Sequence, residues 1–163
     1  MMLSEQCRNL SENCYIYEEY GFTLQGSVGS KDWEVFAAIL MGDRARPGDG
    51  ADLMNYEVKS ALIGNSFEYQ YHKNRGLAKL QDDQAVDHLF VSRSSTYRDV
   101  HVWLVGRDKL IPVFAQWLPA LQENYETGVR QRFRRSVAYG FVTQQGSKLL
   151  EVKDGSLIEI TKN

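Results

Sequence analysis

Apolar residues recur at helical spacing in several parts of the chain, and these parts predict helices. The predicted helices cover residues 3–17, 31–41, 76–86 and 109–123. Ser30 is the predicted N-cap of the second helix, which ends at Gly42, and Asp108 is the predicted N-cap of the fourth. Pro112 falls in the first turn of the fourth helix, where proline is tolerated, whereas Pro119 is expected to kink or end it.

Shorter runs rich in β-branched and aromatic residues predict strands. The predicted strands cover residues 51–54, 56–62, 67–72, 87–92, 100–105, 136–142, 148–152 and 156–161. Asp154 and Gly155 predict a tight hairpin turn between the last two. Together the elements predict an α+β (mixed α/β) fold with a central mixed β-sheet flanked by helices.

Length, cysteine content and charge limit the possible functions. The 163 residues predict one domain, because two domains would each have too small a core. No apolar run approaches the roughly 18 residues of a membrane span, so no membrane partner is expected. Cys7 and Cys14 would lie roughly 10 Å apart on one helix, too far for a disulfide, which favours reduced thiols in the cytoplasm. The net charge of −2 counts mildly against nucleic-acid binding, but a local basic surface remains possible.

Residues 49–60 combine acids and a lysine at strand spacing. If residues 54 and 55 form a two-residue turn, Asp52 lies directly opposite Glu57. Lys59, two residues beyond Glu57, projects to the same face. Like charges opposite each other are destabilising, so a hard divalent cation such as Mg²⁺ is a natural partner of both carboxylates. A lysine beside such a cation can orient or activate an attacking water.

The same residues also have plain interpretations. Asp52 fits a turn residue, and Glu57 and Lys59 fit a solvated strand face. If the turn lies elsewhere, Asp49 becomes the competing first acid. The sequence alone leaves these alternatives open.

The pattern Asp52…Glu57-x-Lys59 resembles the core of the PD-(D/E)xK nucleases, in which an acid and a downstream (D/E)-x-K pair lie on a hairpin. Within that superfamily, residues 50–60 are most similar to the PvuII-like type II restriction endonucleases. The resemblance implies a restriction-endonuclease-like catalytic core at residues 31–106. It also implies that Asp52 and Glu57 bind Mg²⁺, with Mn²⁺ as a substitute, and that Asp52, Glu57 and Lys59 are the catalytic residues.

The chain also departs from that family. The gap between Asp52 and Glu57 is shorter than in the PvuII-like group, and the Pro-Asp dipeptide is missing. Glu34 resembles an extra acid that many members carry on the preceding helix, which implies a third metal ligand. It equally fits an ordinary first-turn glutamate favoured by the helix dipole.

Residues 130–135 are the densest basic segment, with four arginines in six positions. Arginines suit phosphate contacts and bidentate readout of guanine, although a charged strand edge explains them too. The resemblance places DNA contacts in this segment and in residues 72–74. The expected DNA-binding residues are His72, Lys73, Asn74, Arg130, Gln131, Arg132, Arg134 and Arg135. His88 and His101 lie beside apolar residues and are expected to be structural.

The leading hypothesis is a Mg²⁺-dependent type II restriction endonuclease that cuts double-stranded DNA at a short palindromic sequence. Symmetric cutting implies a homodimer, with residues 1–30 as the dimerisation region and residues 107–163 carrying the DNA-reading segment. A cognate DNA methyltransferase would protect the host genome. The alternatives are a structure-specific endonuclease acting on junctions or mismatches, and a binding or interaction module without enzymatic activity.

Overall fold

The largest element of the fold is a five-stranded mixed sheet. The computed structural model describes residues 17, 19–24, 26–128 and 131–161. The sheet contains, in spatial order, β1 (Tyr56–Leu62), β3 (Asp87–Arg93), β4 (Val100–Val105), β6 (Ser147–Lys153) and β7 (Ser156–Ile160). β1 and β3 run parallel, and the other neighbours run antiparallel. β2 (Phe67–His72) and β5 (Arg132–Val137) form a separate antiparallel pair.

Four helices accompany these sheets within the described ranges. They are α1 (Ser30–Met41), α2 (Gly76–Ala85), α3 (Arg107–Thr127) and α4 (Tyr139–Gln145). The predicted α+β fold, a central mixed sheet flanked by helices, is confirmed. Among the helices described, none combines the length and the apolar character that a membrane crossing needs. The helix predicted at residues 3–17 lies outside the described residues except for Tyr17.

Apolar side chains cover both faces of the five-stranded sheet. On one face, Trp33 and Phe36 of α1 pack with Leu89 and Val91 of β3. On the other face, Phe90 packs in a second layer that includes side chains from β2, β5, α3 and α4. Successive residues of a strand point to opposite faces, so β3 contributes alternately to the two layers.

The predicted strand at residues 136–142 is wrong, because β5 ends at Val137 and α4 follows. Val137 pairs with Phe67, the first residue of β2, so the chain beyond it has no strand partner. Its backbone groups bond locally instead, and the Val142 N–H donates to the Ala138 carbonyl at 3.2 Å. Residues 138–142 have a strand-forming composition, but β2 does not extend far enough to pair with them, so they do not form a strand.

The predicted strand at residues 51–54 is also wrong. This segment makes an isolated bridge between Leu53 and Ala45. Beside the bridge, the Arg46 N–H donates to the Asp52 carbonyl at 3.1 Å. The Leu53 N–H does donate to the Tyr56 carbonyl at 2.9 Å, across the predicted turn at residues 54 and 55. The pairing goes no further, because the neighbouring backbone groups bond to the preceding loop.

Two helix starts differ from their predicted positions. The N-cap of α1 is Gly29 rather than Ser30, and the Asp32 carboxylate accepts the Gly29 N–H at 2.9 Å. The N-cap of α3 is Gly106 rather than Asp108, and the helix continues through both of its prolines. The first N–H of α3 donates to a carboxylate oxygen of Asp87, at the start of β3, at 2.9 Å. A carboxylate outside the cap position therefore accepts one N–H group at each of these helix starts.

The fourth predicted helix also ends four residues later than predicted, at Thr127 instead of residue 123. The remaining predicted elements agree with the structure to within one residue at either end. The turn between β6 and β7 has φ angles of 50° at Asp154 and 76° at Gly155. Two successive left-handed residues are typical of the type I′ turn, so the predicted hairpin is confirmed.

Candidate functional site

β1 directs Glu57 and Lys59 toward the second apolar layer. The two residues are separated by one position and share a face of the sheet, as their spacing predicts. In the parallel register they pair with His88 and Phe90 of β3. Glu57 is buried, with 1% of its side chain exposed, whereas 20% of the Lys59 side chain is exposed. β1 thus places an acid in the interior and a lysine at the border with solvent.

Both carboxylate oxygens of Glu57 have cationic partners. Oε1 forms an ion pair with the Lys59 ammonium group. Oε2 lies 2.8 Å from Nζ of Lys79, which is on α2. Oε2 also accepts the backbone N–H of Asp52 at 3.1 Å. A buried carboxylate is therefore surrounded by three donors from three parts of the chain.

Asp52 lies beside Glu57 although the two residues are not on paired strands. Its N–H donates to Glu57, and its Oδ2 accepts the Val58 N–H at 3.0 Å. These two bonds between side chains and backbone join the loop to the start of β1. They bring the two acids together without the strand pairing that the sequence predicts for residues 51–54.

α2 adds a lysine and an acid that are one helical turn apart. Nζ of Lys79 lies 2.5 Å from Oδ1 of Asp83, in addition to its contact with Glu57. Asp83 is buried, and its Oδ2 accepts the Tyr71 hydroxyl at 2.9 Å. Lys59, Glu57, Lys79 and Asp83 thus form one continuous chain of alternating charges.

The two lysines determine the ionisation of Glu57. Burial raises the pKa of this carboxyl, but Lys59 and Lys79 outweigh burial and hold the pKa below its usual range. The pKa of Asp52 is raised by burial and by the negative charge of Glu57. The pKa of Asp83 is raised by the same two causes. Burial is the larger cause for both acids, so their pKa values are raised first by loss of solvent and second by the charge of Glu57.

His88 is fully buried between Tyr69 and Asp83. Its Nε2 lies 2.7 Å from the Asp83 carbonyl oxygen, and a carbonyl can only accept, so Nε2 carries the hydrogen. Nδ1 then accepts the Tyr69 hydroxyl at 2.7 Å. Burial lowers the pKa of His88 to about 4, in agreement with a neutral ring. The centroid of the Tyr69 ring lies 4.9 Å from Nζ of Lys59, so the hydrogen bond between Tyr69 and His88 fixes the ring that Lys59 contacts.

Neutral His88 makes the stability of the protein depend on pH. Its pKa is about 4 in the folded protein against the ordinary 6.5, so the unfolded chain binds the proton first as pH falls. The stabilising contribution is complete above the ordinary pKa and is lost as pH falls toward the folded value. From about pH 7 to about pH 5 we expect this group to cost roughly 2 kcal/mol in the free energy of unfolding.

Urea unfolding of the wild type and of His88→Gln at both pH values measures this contribution. We expect the variant to be less stable at neutral pH, and its stability to fall less on acidification. Equal pH dependence of the two proteins would show that the ring is not held neutral.

Two further acids from the sequence analysis lie outside this chain of contacts. Glu34 forms an ion pair with Lys31, and its charge contributes to the raised pKa of Asp52. Glu34 therefore borders the site from α1. Asp49 is exposed and pairs with Arg75, at the start of α2. The structure thus places Asp52, rather than Asp49, beside Glu57.

The carboxylate oxygens of Asp52 and Glu57 are the type of ligand that Mg²⁺ takes. Mg²⁺ takes one or two carboxylates and completes its shell with water and substrate phosphate oxygens. In the part of the chain that the structure describes, no group of three or more His, Cys, Asp and Glu side chains is arranged to hold a metal ion. Lys59 occupies Oε1 of Glu57, so metal binding there requires this lysine to move.

β2 and β5 present polar side chains on the surface away from the core. Gln70 pairs with Arg134 and His72 pairs with Arg132, and directly paired residues point to the same side. All four side chains are exposed, and we call them the basic face. Glu68 lies 4.0 Å from Arg134, and ion pairs this exposed contribute little. The basic face can therefore accept an anionic partner.

The other residues predicted to contact DNA do not all lie on the basic face. The Lys73 N–H donates to the Gln131 carbonyl at 2.9 Å, which extends the pairing of the two strands by one step. Asn74 lies in the turn that leads to α2. Arg135 follows Arg134, so it points to the opposite side of β5, where it stacks on an aromatic ring of the same strand. Arg130 lies outside the described residues.

The sequence analysis did not identify Lys79 and Asp83, although the sequence contains a signal for them. In the predicted helix at residues 76–86, positions 79, 80 and 83 share one face. A lysine and an acid therefore flank the inward-pointing Leu80, which indicates a buried ion pair. Their contact with Glu57 depends on how α2 lies against β1, which helical spacing cannot show.

The fold and the site together define an α+β protein with a buried chain of charges next to Asp52 and an exposed basic face. The chain matches no known protein-family profile and no curated protein. Its function is therefore inferred from its own residues and their geometry.

Proposed function

We propose that the protein is a Mg²⁺-dependent endonuclease that hydrolyses phosphodiester bonds of double-stranded DNA at a short specific sequence. The observation that carries the proposal is the buried, ionised Glu57 carboxylate, which contacts both Asp52 and Lys59. Two acids and a lysine are the groups that metal-assisted phosphodiester hydrolysis uses. The resemblance of this stretch to the PD-(D/E)xK core supports the same chemistry.

Each residue of the cluster has a separate role in this proposal. Asp52 and Glu57 hold the cation, and Mn²⁺ can replace Mg²⁺ because carboxylate oxygens suit both ions. The bound cation supplies Lewis-acid stabilisation of charge on the phosphate. Lys59 turns from Glu57 toward the phosphate, where its ammonium group donates hydrogen bonds and orients the attacking water. Its partial exposure makes this movement possible, while the Tyr69 ring limits it from beneath.

The basic face is the proposed surface for duplex DNA. A two-stranded ribbon fits the major groove, where arginine reads guanine and glutamine reads adenine. Arg132 and Arg134 would contact phosphates or guanine, and Gln70 lies directly opposite Arg134 on the paired strand. Because it faces Arg134 directly, Gln70 joins the residues that the sequence analysis selected.

The proposal includes a homodimer, since two copies related by a two-fold axis place one site on each strand of a palindrome. Most of the region expected to mediate dimerisation, residues 1–30, precedes the continuous part of the described chain. We further propose a cytoplasmic restriction system in which a cognate DNA methyltransferase protects the host genome.

Digestion of a long, unmodified phage DNA with and without Mg²⁺ tests the proposal. Discrete fragments that require Mg²⁺ would support it, and the mapped fragment ends would give the sequence. Cleavage of branched or mismatched DNA alone would instead favour a structure-specific endonuclease. Absence of cleavage on all these substrates would contradict an enzymatic role and leave a binding module.

Replacing Arg132 and Arg134 together by Gln is expected to weaken DNA binding and its dependence on salt. Each lost phosphate contact lowers the slope of log K against log salt by about 0.9, so two contacts lower it by roughly 2. Fluorescence anisotropy of a labelled duplex without divalent metal measures the slope. The control is Arg98→Gln, an exposed arginine between β3 and β4. An unchanged slope in the double variant would place the DNA on another surface.

A further inference from the structure

The two lysines of the site are held in different ways. Lys59 contacts Glu57 at Oε1 and lies over an aromatic ring. Lys79 joins two buried acids, with Nζ 2.8 Å from Oε2 of Glu57 and 2.5 Å from Oδ1 of Asp83. Asp83 is itself fixed by the Tyr71 hydroxyl at 2.9 Å. Lys79 is therefore tied to the interior from two directions.

We propose that Lys79, held by Asp83, is a positioning residue that fixes Oε2 of Glu57 and thereby leaves Oε1 and Lys59 for the cation and the substrate. This inference rests on the proposed nuclease function and assigns a part of the same site that the sequence analysis did not include.

The argument begins with the burial of Glu57, whose side chain is only 1% exposed. A buried carboxylate that loses its cationic partner is strongly destabilised. If Lys59 were the sole counter-ion, it would be retained by Glu57 and would not turn to the phosphate. Lys79 removes this constraint, because it remains on Glu57 when Lys59 leaves.

The geometry around Oε2 assigns the two oxygens of Glu57 different roles. Oε2 has two donors, Lys79 and the Asp52 N–H, which come from separate elements and fix the carboxylate plane. Oε1 has Lys59, which is on the same strand and has flexible bonds. The carboxylate is thus held at one oxygen while the partner at the other oxygen can change.

Lys79 is better suited to this role than to direct contact with substrate. Its side chain is 21% exposed, but both of its carboxylate partners are buried, and turning toward DNA would leave Asp83 without a cation and Glu57 with Lys59 alone. Lys59 has to leave a single carboxylate. The two lysines therefore divide the work between positioning and contact with the reacting groups.

Variants of Lys79 and Asp83 test this proposal. The double variant Lys79→Met with Asp83→Asn removes the pair together, so neither buried charge is left alone. Lys79→Arg keeps the cation, and Asp83→Asn alone keeps the size of the anchor while loosening Lys79. Lys109→Met is the matched control, because Lys109 pairs with Asp108 at 3.7 Å on the exposed start of α3. The readouts are kcat and KM for DNA cleavage, and the affinity for Mg²⁺ alone by calorimetry.

We expect the double variant to lose about 10–100-fold in kcat and in Mg²⁺ affinity, as groups that orient metal ligands typically do, with little change in KM for DNA. Lys79→Arg should recover most of this loss, and Asp83→Asn should lose about tenfold in Mg²⁺ affinity. If Asp83→Asn and the double variant both match Lys109→Met, the proposal is overturned.

An inactive Lys79→Arg would also overturn it, because a cation at this point would then be insufficient. Asp83→Asn keeps the test decisive if the double variant does not fold. If the wild type cuts DNA and these variants cut it equally well, only the positioning role of Lys79 is wrong. A wild type that neither cuts DNA nor binds Mg²⁺ removes the proposed function itself.

Discussion

Lys59→Met is expected to lower kcat for DNA cleavage by roughly 10²–10⁴-fold, the range typical of a positioned proton-transfer group, with little effect on DNA affinity. Methionine retains the unbranched apolar chain but removes the ammonium group that contacts Glu57 and lies over Tyr69. Glu57 keeps Lys79 as a counter-ion. Single-turnover cleavage with enzyme in excess measures the chemical step, and anisotropy measures DNA binding separately.

The control for this variant is Lys153→Met, at the exposed end of β6. It removes one lysine charge from the surface and should cut DNA as the wild type does. Urea unfolding of both variants establishes whether the fold persists. If Lys59→Met is folded and cuts DNA as fast as the control, the contact between Glu57 and Lys59 is structural and the catalytic role is wrong.

Phe114→Ala is expected to lower the free energy of unfolding by about 3–5 kcal/mol. The ring is fully buried, and its centroid lies 5.2 Å from that of Trp117, 5.4 Å from that of His88 and 5.5 Å from that of Tyr69. Removing it opens a cavity beneath the ring over which Lys59 lies. We therefore expect slower DNA cleavage as well. Urea unfolding at neutral pH measures the stability.

Ile111→Ala is the matched control, since Ile111 lies on the same helix and is 43% exposed. Its loss should stay within about 0.5 kcal/mol, as for most surface substitutions. A loss for Phe114→Ala no greater than that of Ile111→Ala would mean that the layer around His88 is not closely packed.

The sequence predicts most of the strands because local patterns determine them. β2 alternates between buried aromatic and exposed polar residues, and its predicted bounds coincide with the observed ones. The errors at residues 51–54 and 136–142 concern pairing. A segment of suitable composition becomes a strand only when a partner is available, and the partner lies far away in sequence. Distance in sequence also explains why the capping residues near α3 did not predict its contact with Asp87, which lies 20 residues before the start of the helix.

The candidate site could be predicted in part. The spacing of Glu57 and Lys59 shows that they share a face, since strand alternation is a local property. Asp52 was expected beside Glu57 through a hairpin, but its contact arises from bonds between side chains and backbone. Lys79 reaches Glu57 because the chain passes through α2 between the parallel strands β1 and β3. No local pattern encodes that packing of α2 on β1.

The alternation along β2 has an evolutionary consequence if the proposed function holds. Tyr69 and Tyr71 face the charged cluster, while Gln70 and His72 belong to the basic face. One strand thus carries two sets of positions under different selection, interleaved residue by residue. Homologues that cut different sequences would diverge at the even-numbered positions and keep the odd-numbered tyrosines. An insertion of one residue in β2 would exchange the two sets, so such homologues should differ there by substitution and not by changes in length.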